Sequence, residues 1–156
     1  MSREYICENL VCVMPNEFTF TRRYILKEFA CKCCGKVVIN NDLLYMLYRL
    51  MYALDDWLQI TSGYRCPKHN KEVGGAKRSY HLKGMAVDLY SDKYETWFLA
   101  GFARTIGFTG VIEYPDRGFV HLDVRYGVPY YKMSKQASLF YRYLSRKFQQ
   151  GLKKKN

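Results

Sequence analysis

A chain of 156 residues, 49% of them hydrophobic and 17% aromatic, has the length of one ordinary domain and enough apolar material to close a core, which excludes a disordered chain. Its formal net charge of +11 concentrates anions at the surface, so an anionic partner is implied without being named. No apolar run approaches the roughly 18–20 residues that span a bilayer, and "MSREYICENLVCVMPNEF" carries acids and a proline where a secretion signal needs an unbroken apolar stretch.

In chain order, an irregular N-terminal arm leads to a core over about residues 24–131, followed by a basic helix and tail, all read as one domain spanning 1–156. Six cysteines (Cys7, Cys12, Cys31, Cys33, Cys34, Cys66) are expected as free thiols in a chain with no export signal. The cluster "CKCCGK" can hold a structural metal if Cys7, Cys12 or Cys66 completes it in space, although it lacks a second C-x-x-C or a Cys/His pair at finger spacing. In "NNDLLYMLYRLMYALDDWL" the apolar residues Leu43, Leu44, Leu47, Leu50, Met51 and Leu54 recur at three- and four-residue steps, which predicts an amphipathic helix capped by Asn41 or Asp42. "LQITSGYR" reads as a short strand ending at a Ser-Gly turn, and "GMAVDLY" as a second strand. A helix over "DKYETWFLAGFARTIG" stops at Gly107, and "TGVIEY" and "FVHLDVRY" form two strands joined by the "PDRG" turn. The last helix, "MSKQASLFYRYLSRKFQQG", is basic on one face and aromatic on the other.

The chemistry concentrates in three stretches. His81 and Asp88 flank a glycine in a passage from loop to strand, and His121 sits among apolar residues with Asp123 two positions beyond it. The side-chain period of a strand is two, so Asp123 shares the face of His121. A lone histidine is more often packed or exposed than a ligand, but here histidine is clustered with carboxylate. Nitrogen and carboxylate oxygen are donors that zinc accepts, and three protein ligands leave the fourth tetrahedral position open, as in a catalytic site.

The run "TSGYRCPKHNKEVGGAKRSYHLKGMAVDLY" followed by "GFVHLDVR" resembles the zinc D-alanyl-D-alanine carboxypeptidase family, the LAS metallopeptidases with the hedgehog-type fold. The shared pattern is Ser-Gly-Tyr-Arg, His-Asn, Gly-Gly-Ala, Ser-x-His-x-x-Gly-x-Ala-x-Asp and His-x-Asp, in that order across positions 62–123. "YILKEFACKCCGK" resembles the lead-in of small members often encoded by bacteriophages, so the likeness covers about residues 24–131. It implies an α+β fold with a small antiparallel sheet that carries a Zn2+ site and is packed by helices. It also implies a peptidoglycan hydrolase: a D-Ala-D-Ala carboxypeptidase or endopeptidase of the phage-lysin kind.

Carried over by position, the resemblance makes His81, Asp88 and His121 the zinc ligands. It gives Arg65 the task of holding a substrate carboxylate, which a planar guanidinium can grip with two parallel hydrogen bonds. Ser79 either hydrogen-bonds near the bound substrate or orients His81, or it simply caps its turn. A zinc-activated water needs a carboxylate to collect its proton. Many members place that acid three residues before the last histidine, where this chain has Gly118. Asp123 is then the preferred base, with Asp116 and Glu113 as the other candidates, and some members' His-x-His pattern leaves open that Asp123 is a ligand and His121 its catalytic partner. His69 is expected to stabilise a turn, to lie on the substrate side without metal, or simply to sit at the surface, and Cys66 as a nucleophile ranks last because it does not explain the spacing of His81 and Asp88.

The expected partners are peptidoglycan stem peptides and anionic wall polymer. Nucleic acid is not expected, because the basic residues are scattered apart from Arg22-Arg23 and "SRKFQQGLKKKN" and no recognition signature is present. The expected form is a monomer without membrane insertion, held in a host cytoplasm until release. The alternative is a basic zinc-containing module that binds wall polymer or nucleic acid without cutting it.

Overall fold

In the computed structural model, which describes residues 4–7 and 26–153, the leucine stripe forms helix α1 (Asn41–Leu54) and buries Leu43, Leu47, Leu50, Met51 and Leu54. Cys12, the Arg22-Arg23 pair and tail residues 154–156 lie outside the described residues. The cap of α1 comes one residue before the expected Asn41 or Asp42. Asn40, in extended backbone, accepts from the N–H groups of Asp42 (2.8 Å) and Leu43 (3.3 Å), which have no partner within the helix.

Part of the expected irregular arm is a strand: β1 (Glu4–Cys7) pairs antiparallel with β2 (Val37–Asn40). The main sheet has five strands, ordered β3 (Gln59–Ser62), β4 (Ala86–Tyr90), β6 (Phe119–Asp123), β5 (Gly110–Tyr114) and β7 (Tyr130–Lys132). It is antiparallel except at its last edge, where β7 runs parallel to β5, so the sheet is mixed rather than wholly antiparallel. The cause is local. β6 ends with Asp123 opposite Gly110, residues 124–129 cross that end of β5, and Tyr130 starts beside Gly110 and runs the same way.

The strands alternate between two environments. Val87, Leu89, Val111, Val120 and Leu122 are fully buried in one core with the stripe of α1 and with Leu99, Ala100 and Ala103 of α3 (Thr96–Ile106). The intervening positions Asp88, Ile112, Tyr114, Phe119, His121 and Asp123 share the opposite face. This period of two is why an acid and a histidine can sit in strands that otherwise read as apolar.

α3 starts at Thr96 rather than Asp92 because the Ser91 hydroxyl accepts from the N–H groups of Lys93 (2.9 Å) and Tyr94 (3.1 Å), holding that segment in a turn. α4 (Lys135–Lys153) packs on α3, with Phe140 stacked against Phe98 and edge-on to Trp97. The Arg104 guanidinium lies between the Tyr131 and Tyr141 rings, 4.0 and 3.9 Å from their centroids. A short helix, α2 (Pro67–Glu72), occupies a stretch that reads as a turn in sequence. Among the described residues no helix is long and apolar enough to cross a membrane.

Gly110 is required by what lies across from it. A Cβ there would stand 2.1 Å from the carboxylate atoms of Asp123, which is completely buried. Gly110→Ala is therefore expected to lower stability by about 1–3 kcal/mol, the range for an overpacked interior site, and urea unfolding of the variant beside the parent measures it.

Candidate active site

His81 enters from the 3₁₀ turn Tyr80–Lys83 that leads into β4, Asp88 from β4 itself, and His121 from β6, paired opposite Asp88. Their donor atoms converge: His81 Nε2 lies 3.1 Å from Asp88 Oδ1 and 3.1 Å from His121 Nδ1, and His121 Nδ1 lies 2.9 Å from Asp88 Oδ1. All three residues are buried.

The outer ring nitrogens decide what the inner ones offer. His81 Nδ1–H donates to the Gly63 carbonyl (2.7 Å) and His121 Nε2–H donates to Asp123 Oδ2 (3.0 Å), so each ring turns a lone pair inward towards the Asp88 oxygen. Three acceptors thus face one another, and a single proton relieves only one pair. A cation that accepts nitrogen and oxygen ligands relieves all three. The separations come within a few tenths of an ångström of the ~3.3 Å edge of a tetrahedron built on zinc bonds of about 2.0–2.1 Å. The donor set fits zinc.

Electrostatics give the same reading. Burial lowers the His81 pKa, whereas for His121 burial is outweighed by its bonds to Asp123 and Asp88, so the ring proton favours His121. Burial raises the Asp88 pKa, but its bonds to His121 and His81 win and hold it far below the usual carboxylate range. Binding of a metal must displace the shared proton.

Asp123 shares the face of His121, as the strand period predicts, but its carboxylate lies beyond the ring, away from Asp88. It is fully buried and held by Arg125, whose Nε donates to Oδ1 (2.8 Å) and whose Nη2 donates to Oδ2 (2.5 Å). Burial raises its pKa, yet Arg125 and His121 bring it down to about 2. Both oxygens are engaged, and Asp123 is absent from the residues that line the adjoining cleft.

That half-open cleft, about 410 Å³, is lined by the three clustered residues, by Ser79, Tyr80, Tyr114 and Tyr130, and by Arg65, Arg78, Arg117 and Arg125. Among the described residues that line it, Asp88 is the one acid. Glu113 points to the opposite face of the sheet, where it accepts from the Thr96 hydroxyl (3.0 Å) and the Ser134 N–H (2.7 Å). Asp116 is exposed in the turn Pro115–Arg117 and does not line the cleft. Gly118 closes that turn at φ 68°, a left-handed conformation that residues other than glycine seldom adopt.

Arg65 is already engaged: its Nε donates to Ser62 Oγ (2.8 Å) and its Nη2 to Asp88 Oδ2. Ser79 caps the turn that carries His81, accepting from the His81 N–H at 3.4 Å. His69 lies in α2, its Nδ1 3.7 Å from Glu72, and is not in the cleft wall. Arg125, Gly110, Arg78 and Arg117 are site residues that the sequence pattern does not single out. Arg125 was the findable one, because it stands two residues beyond Asp123 and continues its face.

Acid is expected to destabilise the chelated protein. Asp88 and Asp123 have folded pKa values below the unfolded value of about 3.9, so their contribution is complete above that pH and is lost as pH falls towards about 2. His81 works in the same direction, while the raised His121 pKa makes a contribution already constant below about pH 6. Urea unfolding between about pH 5 and pH 2 should show a continuous loss of stability.

A buried His-Asp-His donor set at the wall of a cleft is the layout of a mononuclear zinc hydrolase. The family model described as Peptidase M15 matches residues 18–123, and the chain belongs to the peptidase M15 family. It is 36% identical over 92 residues to the peptidoglycan L,D-endopeptidase MepK of Escherichia coli (strain K12), an overlap of 54% of this chain and 50% of that protein. MepK of Shigella flexneri matches to the same extent. The chain spans about half the length of the curated relatives it matches.

Proposed function

We propose that the chain is a zinc-dependent peptidase that hydrolyses stem peptides of bacterial peptidoglycan, with His81, Asp88 and His121 as the zinc ligands. The observation that carries this reading is the meeting of three inward-facing acceptor atoms at a cleft wall in a member of the M15 family. When bound, zinc supplies a Lewis acid and brings the pKa of water in its open position towards neutrality.

The protein's own groups set the geometry. Asp123 fixes the tautomer of His121 and is itself fixed by Arg125. Arg65 holds the second oxygen of Asp88, and Ser79 fixes the turn that presents His81. Among the described residues neither Arg78 nor Arg117 forms a salt bridge, so these two guanidinium groups are the ones placed to take substrate carboxylates. A cleft whose described lining holds four arginines and one acid suits a stem peptide, which is rich in carboxylates. Similarity to an L,D-endopeptidase supports cleavage between an L- and a D-residue. The lysin-like setting, with access to the wall only after release, belongs to this proposal and rests on the resemblance.

Arg65→Lys is expected to lower zinc retention and turnover together, because one ammonium cannot span Ser62 and Asp88. Arg117→Gln should instead raise KM and leave zinc in place. Zinc content and kcat and KM on the same preparations separate the two roles. Digesting purified peptidoglycan and identifying the new termini by mass spectrometry tests the bond assignment. A new amino terminus on a D-residue is expected, release of free D-alanine alone would make the chain a carboxypeptidase, and undigested wall would leave a binding module.

A further inference from the structure

We propose that Cys31, Cys33, Cys34 and Cys66 form a second zinc site, structural in kind and separate from the His-Asp-His cluster. Their four sulfur atoms all lie within 4.8 Å of one another, and Cys33 Sγ is 3.3 Å from Cys66 Sγ. A tetrahedral zinc with sulfur bonds of about 2.3 Å has sulfur–sulfur edges of about 3.8 Å, so small side-chain shifts close the shell. Four thiolates leave no open position, which makes the site structural rather than catalytic.

The backbone is arranged for this. The Cys31 N–H donates to the Lys36 carbonyl (2.9 Å) and the Gly35 N–H to the Cys31 carbonyl (2.8 Å), so "CKCCGK" folds back on itself and gathers three sulfurs on one turn. The fourth comes from Cys66 at the N-cap of α2. Two backbone amides point at sulfur: Cys66 N–H at Cys31 Sγ and His69 N–H at Cys66 Sγ, each at 3.4 Å. Donors of this kind favour the thiolate, which is the form that binds metal. Cys33 and Cys34 are exposed, which gives an ion a route in.

Cys33, His69 and Glu72 also lie close enough to share an ion, but that set strands Cys31 and Cys34 and offers harder donors than four sulfurs. The site has a consequence for the cleft. Cys66 follows Arg65, which holds Asp88, and the Tyr64 N–H donates to the Phe29 carbonyl (2.8 Å). Zinc at the four cysteines therefore staples the lead-in segment to the loop after β3 that carries Arg65.

The test does not depend on peptidase activity. The full chain purified under reducing conditions should hold about two zinc ions, the His81→Ala/His121→Ala variant about one, and Cys33→Ser or Cys34→Ser, both at exposed positions, should lose the second ion while His69→Ala keeps it. Loading the unmutated chain with cobalt should produce thiolate-to-cobalt charge-transfer absorption in the near ultraviolet, which a His-Asp-His site cannot give. The proposal is overturned if that absorption is absent, if His69→Ala loses the ion, or if mass spectrometry finds Cys33 and Cys66 joined as a disulfide in the reduced preparation.

Discussion

His81→Ala, Asp88→Ala and His121→Ala are each expected to lose about one zinc ion per chain and to reduce peptidoglycan hydrolysis to background. Each substitution removes one of three donors that meet within 3.1 Å, and two donors leave zinc without a closed protein grip. The loss should exceed the ~10–100-fold that follows removal of a residue that merely orients a ligand. Folding is the control, because deleting an inward-facing acceptor also relieves the crowding of the metal-free cluster. Circular dichroism of the chelated variants should match the chelated parent. Full zinc content and activity in all three would remove these residues from the site.

Asp123→Asn separates an orienting group from a proton acceptor. If Asp123 acts by fixing the His121 ring, its variant should bind zinc ~10–100-fold more weakly and recover turnover when zinc is supplied in excess. Loss of a general base costs a larger ~10²–10⁴-fold in rate, and added metal does not restore it. Stability should fall as well, since Arg125 loses the carboxylate it holds through two nitrogens. Asp116→Asn, at an exposed position outside the cleft wall, should leave both zinc and rate unchanged. Turnover measured across a zinc titration decides between the two roles.

Much of the frame was legible because local pattern and tertiary demand agree. The leucine steps of α1 match its buried stripe, Gly107 ends α3 in a left-handed conformation, and the strands around Asp88 and His121 carry the β-branched residues a buried face needs. The site was legible for a narrower reason: His81 and Asp88 lie close along the chain, so a turn and half a strand suffice to bring them together. What stayed hidden depends on neighbours distant in sequence. The direction of the Asp123 carboxylate is set by Arg125 and by the space that Gly110 leaves on the next strand. The engagement of Arg65 depends on Ser62 and Asp88 together. α2 is too short to show a period, and β7 is a three-residue edge whose partner is chosen by the path of residues 124–129.

The cleft also changes how the net charge is read. Arg65 and Arg125 are neutralised by Asp88 and Asp123, so the excess positive potential at the site rests on Arg78 and Arg117. Under the proposed function, Arg78 and Arg117 are the cleft groups left to take substrate carboxylates, and the remaining surface charge would speed encounter with an anionic polymer.

The most direct measurement is the release of new amino termini from purified peptidoglycan by the chelated chain, before and after zinc is restored, with the His81→Ala/His121→Ala variant treated identically. Release that appears only with zinc and only in the parent chain is the predicted result. Equal release without zinc, or no release by the zinc-restored parent, would contradict a zinc peptidase acting through His81, Asp88 and His121.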